Sequence, residues 1–200
     1  ESGDVVVLLG PSSELGAAVA RRRDDLARAV LAPWREVVPK ENLLVELVSH
    51  RLPQTGGSVW GPGTTPHAAR MAGFARSDGL GAVLTNAVRY ADRRYAPVVD
   101  VLDATRRLVA LDRRHVDRAN AEGFLKSGKQ MLEMAEEIAR LSGLGDTDAE
   151  AHRLLAHTRQ VADRCALDPR ADLGLGEVHF PELAWDPSLL GGHDDERRSR

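Results

Sequence analysis

The sequence is short of several residue types, and each shortage excludes a class of protein. Its 200 residues contain one cysteine, Cys165, which excludes an intramolecular disulfide and a zinc site built from several cysteines. Aromatic residues make up only 4% of the chain, and its net charge of −3 gives no basic excess for non-specific nucleic-acid binding. No apolar run approaches the ~18 residues of a membrane span. We therefore expect no membrane partner and a cytoplasmic protein, with Cys165 buried in an amphipathic helix.

The sequence also lacks a self-sufficient active-site motif. Residues 61–65, GPGTT, have neither the lysine nor the spacing of a phosphate-binding loop. Asp100 and Asp103 fall on a predicted helix, where capping and solvated surface explain them better than a two-metal site. His152 and His157 are five residues apart on another predicted helix and miss the four-residue spacing of paired metal ligands. We predict no catalytic residue in this chain.

The chain does contain a regular alternation of strand and helix patterns. Short apolar runs predict strands over residues 4–10, 42–50 and 81–85. Helical patterns separate the strands and continue after Tyr90, which predicts helices over 15–38 with a break near Pro33, and over 66–77, 95–111, 127–141 and 148–165. Strands separated by helices are typical of a parallel sheet with crossover connections.

Polar residues appear where two of the predicted strands end. Glu46 lies inside the run LLVELV, where a carboxylate is costly to bury unless it is paired or bound to a metal. Glu46 and His50 share one face of the strand, and they serve one site only if the strand ends before His50. The alternative is a structural glutamate and an unrelated loop histidine. After the third strand, Ala87 and Arg89 stand where a metal-dependent enzyme needs an acid and a histidine.

Five segments, taken in order, resemble a known family. They are LLVELVSHRLP, LGAVLTNAVRYA, VVDVLDATRRLVALD, ANAEGFLKSGKQMLEMAEEI, and VADRCALDP with HFPEL. Their order and spacing resemble the PHP domain of bacterial DNA polymerase III alpha subunits, in particular the alpha-like and error-prone polymerases of high-GC bacteria. The resemblance implies an α/β fold, with the C-terminal part of a distorted (β/α)7 PHP barrel at 1–110. A mostly helical extension toward the polymerase core is then expected at 111–184, and a disordered tail or linker at 185–200.

The resemblance also assigns roles to the polar positions. In family members with an intact site, the segment that matches residues 85–90 reads TNDVHY, and its Asp and His bind metal for phosphoester or pyrophosphate hydrolysis or proofreading. Here Ala87 offers no ligand, and the permanent cation of Arg89 repels a metal ion. His50 matches a ligand histidine and Glu46 an acidic position. All four are therefore predicted to be vestigial positions of a site that holds no metal.

Three functions stay open on this evidence. The first is a degenerate, metal-free PHP module with a structural role in a DNA-directed DNA polymerase of replication or repair. The resemblance then implies magnesium in the parent polymerase, and as partners DNA, the other polymerase domains, a sliding clamp and a proofreading subunit. The second is an active metal-dependent phosphoesterase or proofreading domain, and the third an unrelated α/β interaction module. Because the chain starts at Glu1 beside a predicted strand, we expect a piece of a longer protein with exposed apolar surface.

Overall fold

A computed structural model describes residues 5–53 and 61–176 of the chain, and the predicted tail at 185–200 lies outside these residues. The fold is mixed α/β. Three strands form a parallel sheet in the order β1-β2-β3: β1 (Val7–Leu9), β2 (Leu43–Val48) and β3 (Gly81–Thr85). The helices are α1 (Glu14–Ala20), α2 (Asp24–Val37), α3 (Thr65–Ser77), α4 (Ala96–Arg106), α5 (Gly128–Ser142) and α6 (Thr147–Arg164). The predicted α/β alternation and parallel sheet are confirmed.

The core forms on both faces of the central strand β2. Leu43, Val45 and Leu47 are fully buried in a cluster that includes residues of α1, α2, α3 and α5. On the opposite face, Leu44 packs with Val161 of α6. Helix α3 packs on β2 and α6 packs on β3, while α5 packs against both of these helices, so the parallel sheet is covered on both faces. None of the helices in the described ranges is both long and apolar enough to cross a membrane.

The first helical segment breaks at a different place from the one predicted. The break lies before α2, where Arg22 adopts the left-handed conformation with φ of 57°. The N–H groups of Arg22 and Arg23 donate back to carbonyls in the last turn of α1, which is a common way to end a helix. Pro33 lies inside α2, where residues 32–37 are all exposed. Water can therefore hydrogen-bond the carbonyl that proline leaves without a donor.

The prediction that Cys165 is buried is wrong. The apolar stripe of α6 ends at Val161, and the residues that follow it in the helix, 162–164, are all exposed. Cys165 occupies the C-cap of α6, and its thiol is free and exposed. The compact unit that contains the sheet ends at this residue. In the second unit, Asp168 accepts hydrogen bonds from two backbone N–H groups of a turn.

Side chains of α6 close the outer edge of β3. Thr158 Oγ1 accepts a hydrogen bond from the N–H of Leu84 at 2.9 Å, and His157 Nδ1 lies 2.7 Å from the carbonyl oxygen of Ala82. Gly81 leaves room for this contact, because a Cβ at that position would lie 2.6 Å from His157 Cε1. Backbone groups that an edge strand otherwise presents to solvent are thus already paired.

Candidate functional site

A cavity of about 470 Å³ opens at the carboxyl ends of the three strands. Its lining comes from the turn after β1, the end of β2 and its loop, the loop after β3, helix α4 and the segment 117–123. Parallel strands place their carboxyl ends at the same edge of a sheet, so the loops that follow them meet there. All four positions singled out from the sequence line this one cavity: Glu46, His50, Ala87 and Arg89.

Glu46 is the acidic group that β2 directs into the cavity. It is half-buried, and its Oε1 accepts a hydrogen bond from Thr85 Oγ1 at 2.6 Å. Gly10 faces the other carboxylate oxygen, since a Cβ at Gly10 would clash with Glu46 Oε2. The pairing that a carboxylate inside an apolar strand requires is therefore supplied by the neighbouring strand β3.

His50 reaches the same cavity because β2 ends two residues before it. The N–H of His50 donates to the carbonyl of Gly63 at 2.9 Å, and the chain turns at Arg51, which has φ of 49°. His50 Nε2 lies 2.9 Å from the carbonyl oxygen of Asn86. Asn120 in turn donates to the carbonyl of His50 at 2.6 Å. The condition under which Glu46 and His50 share a site, a strand that ends before His50, is thus met.

Ala87 and Arg89 lie on the loop that follows β3. Ala87 is exposed with φ of 41°, and its side chain has no donor or acceptor atom. Arg89 Nη2 donates to Asp103 Oδ1 of α4 at 2.9 Å. This hydrogen bond to a carboxylate raises the pKa of Arg89 above its usual value, so its charge is permanent. A fixed positive charge therefore occupies one position of the cavity wall.

A second arginine at the cavity also binds α4. Arg118 forms a bidentate pair with Asp100, with N–O distances of 2.8 and 2.6 Å. The side chains of Asp100 and Asp103 are only 11% and 13% exposed. The expectation that these aspartates belong to a solvated or capping surface is therefore wrong. Each is turned toward the protein because an arginine of the cavity lining faces it.

The segment that crosses the strand ends is held by residues that the sequence did not reveal. Asn86 Nδ2 donates to the carbonyls of Glu122 and Phe124 at 2.8 and 2.7 Å, and its Oδ1 accepts from Lys126 Nζ at 3.1 Å. Lys126 is buried over the ring of Phe124, and this burial lowers the pKa of its ammonium. The local sequence does not indicate that Lys126 is buried, because its partner Asn86 lies 40 residues earlier in the chain.

Comparison with known proteins gives this chain no family. No family model matches it, and no curated protein matches it. The resemblance of the five segments to a family therefore stays a prediction from the sequence.

The residues at the cavity do not fit a divalent metal. Of the four candidate positions, only Glu46 and His50 have atoms that ligate metals, whereas zinc sites use three or four protein ligands. The Arg89 guanidinium adds a cation beside them. Within residues 5–53 and 61–176, no group of three or more His, Cys, Asp or Glu side chains is arranged to hold a metal ion. The cavity lining presents instead two carboxylates, Glu46 and Asp117, an imidazole and two ion-paired guanidinium groups.

Proposed function

We propose that this chain is part of the PHP barrel of a bacterial DNA polymerase III alpha-type subunit, and that this module is structural because its metal site is lost. One observation carries the proposal. Four positions separated by up to 43 residues in the sequence line one cavity at the carboxyl ends of parallel strands. The resemblance assigns a metal site to these positions, and two of them hold side chains that cannot ligate a metal.

The substitution at Arg89 supports a structural role for the altered site. A metal ion joins loops by attracting several anionic or neutral ligands to one positive charge. The Arg89 guanidinium supplies a positive charge from within the chain and joins the loop after β3 to Asp103 of α4. The cavity wall is thereby cross-linked by an ion pair, and no bound ion is needed for this purpose.

The edges of the sheet support placement in a larger barrel. The β3 edge is closed by Thr158 and His157, whereas β1 is the other edge strand and, within the described residues, pairs only with β2. Parallel strands normally lie inside a covered sheet. In the proposed polymerase, the remaining barrel strands pair with β1, and DNA synthesis takes place on a separate palm that uses magnesium. DNA, a sliding clamp and a proofreading subunit then become partners through the whole polymerase.

The metal content of the full-length protein tests the loss of the site. Protein purified without chelator is expected to hold substoichiometric zinc and manganese by mass spectrometry, and not to hydrolyse bis(p-nitrophenyl) phosphate. Stoichiometric zinc or manganese, together with hydrolysis that both Glu46→Gln and His50→Gln abolish, would show an active phosphoesterase and contradict the proposal.

Restoring the missing ligands gives a second test. The double variant Ala87→Asp with Arg89→His is expected to gain zinc or manganese binding by calorimetry, because it adds two ligands beside Glu46 and His50. The matched control, Ala87→Asn with Arg89→Gln, removes the cation without adding a carboxylate or imidazole and is expected to bind neither metal. Equal binding by the two variants would show that the cavity is not a vestigial metal site.

The polymerase assignment depends on the rest of the reading frame. It requires a palm domain with clustered aspartates after this chain, and magnesium-dependent extension of a primed template by the full-length protein. A complete reading frame without such a palm contradicts the assignment and leaves an unrelated α/β module.

A further inference from the structure

Helix α4 turns both charged and apolar side chains toward the protein, and Val99 of this inner side lines the cavity half-buried. The only residues that α4 buries are two alanines, Ala96 and Ala104. Beside them, Asp100 and Asp103 face inward and pair with Arg118 and Arg89 of the cavity lining. A helix of a globular protein normally turns its apolar stripe toward the core and its charges toward solvent. In α4, by contrast, two aspartates face the protein and three larger apolar side chains are left exposed.

The outer side of α4 is an apolar surface. Tyr95, Val98, Val101 and Leu102 are 45%, 52%, 47% and 60% exposed. At 100° per residue these four side chains lie within about 120° of the helix circumference. They form one contiguous stripe, which we call the α4 face. Contiguous exposed apolar surface of this kind marks an interaction site in soluble proteins.

The charge around the α4 face selects the kind of partner. Residues 89–118 contain eight arginines and five aspartates, a net charge of +3 in a chain whose total is −3. Six of the arginines form ion pairs with carboxylates: five with the five aspartates of this segment, and Arg93 with Glu122. Arg106 and Arg113 form no ion pair with any residue of the described ranges. Arg106 follows Leu102 by four residues and therefore lies on the same side of the helix.

We propose that the α4 face docks an amphipathic helix of another protein, whose apolar stripe is flanked by aspartate or glutamate. The stripe would cover Val98, Val101 and Leu102, and the acidic flank would pair with Arg106. A second copy of this chain is a poor occupant, because the aspartates of residues 89–118 are all paired already and none is free to meet Arg106. This inference rests on the geometry and charge of α4 and does not depend on the proposed loss of the metal site.

Two fluorescein-labelled peptides test the proposal with the full chain. Both place leucine at positions i, i+3, i+4 and i+7 of a 16-residue helix, and one carries glutamate and the other lysine at the flanking positions. Fluorescence anisotropy is expected to show binding of the glutamate peptide and none of the lysine peptide. Leu102→Ser is expected to weaken binding at least ~10-fold, the effect of losing one hot-spot contact. Because Leu102 is 60% exposed, the variant keeps its fold, which circular dichroism checks.

Two further variants distinguish specific binding at the α4 face from non-specific hydrophobic binding. Arg106→Glu is expected to weaken binding of the glutamate peptide and to permit binding of the lysine peptide. Leu141→Ser is the matched control, at a leucine of α5 that is 57% exposed, and it is expected to leave the binding of both peptides unchanged. The proposal is overturned if the glutamate peptide does not bind, if both peptides bind equally, or if the control weakens binding as much as Leu102→Ser. A dimer in sedimentation that Leu102→Ser dissociates also overturns it, because a second copy then occupies the face.

Discussion

Helix α4 depends on its ion pairs for attachment, and replacing Asp100 by asparagine is expected to loosen this helix alone. The two alanines that α4 buries, Ala96 and Ala104, contribute little apolar area. An isolated helix of this length is unstable in water, because helices shorter than ~12–15 residues are marginal. The Asp100→Asn change keeps the side-chain shape and removes its charge, so it tests the ion pair without creating a cavity.

The size of the effect follows from the pair that is broken. Asp100 accepts two hydrogen bonds from Arg118, at 2.8 and 2.6 Å, and the two side chains are 11% and 27% exposed. A hydrogen bond to a charged group contributes ~1.5–3 kcal/mol. Asparagine still accepts one of the two bonds, and the partial exposure of Arg118 favours the lower part of this range. We therefore expect the free energy of local opening to fall by about 2 kcal/mol, which corresponds to ~30-fold faster exchange.

Hydrogen–deuterium exchange with mass spectrometry measures this opening directly. Peptides within residues 96–107 are expected to exchange ~30-fold faster in Asp100→Asn, while peptides from β2 and α3 keep their wild-type rates. Asp25→Asn is the matched control, because Asp25 also pairs with an arginine, Arg23, but both side chains are more than half exposed. It is expected to leave exchange in α2 unchanged. Unchanged protection of α4 in Asp100→Asn, or equal loss of protection in the core, would refute the reasoning.

Three other predictions concern stability. Gly16→Ala is expected to lower the free energy of unfolding in urea by ~3 kcal/mol, because the added Cβ would lie 2.6 Å from a backbone carbonyl oxygen. Gly73→Ala is the control: a Cβ there meets nothing within 4 Å, so this variant is expected to raise the free energy of unfolding by about 0.5–1 kcal/mol. Thr158→Val removes the acceptor of the Leu84 N–H and is expected to cost ~1–3 kcal/mol, with faster amide exchange at Leu84 by NMR. Burial lowers the pKa of His67 in the folded protein, so the unfolded chain binds the proton more readily. The free energy of unfolding is therefore expected to fall as the pH drops below the usual histidine pKa of ~6.5. Urea unfolding at pH 7.5 and 5.0 is expected to show a smaller fall for a His67→Gln variant than for the wild type.

Much of the secondary structure follows from local sequence patterns. The strand predicted at residues 81–85 is β3 itself, and the helix predicted at 66–77 differs from α3 by one residue. These elements are specified by an apolar run between turn residues and by helical spacing, both of which are local. Helix α4 ends at Arg106, earlier than predicted, because Leu108 adopts a left-handed conformation with φ of 54° that ends the helix. Nothing in the spacing of its leucines signals this end.

In the candidate site too, some properties follow from the sequence and others depend on the fold. The sequence alone indicates that Ala87 has no ligand atom and that Arg89 is a permanent cation, since these are properties of the side chains in any fold. It also predicts that Glu46 and His50 share one face of the same strand. That all four line one cavity is decided by the parallel sheet, which brings the loops after β2 and β3 together. The partners of Arg89 and Asn86 lie 14 and 40 residues away in the chain, beyond any local pattern.

Which residues of α4 share a face follows from their spacing alone, because the helical period is fixed. Which of these faces meets the protein depends instead on the rest of the fold. Two arginines of the cavity lining draw Asp100 and Asp103 inward, and the apolar side is left outward. Helical spacing places side chains relative to one another, whereas their burial depends on what the rest of the fold presents to them.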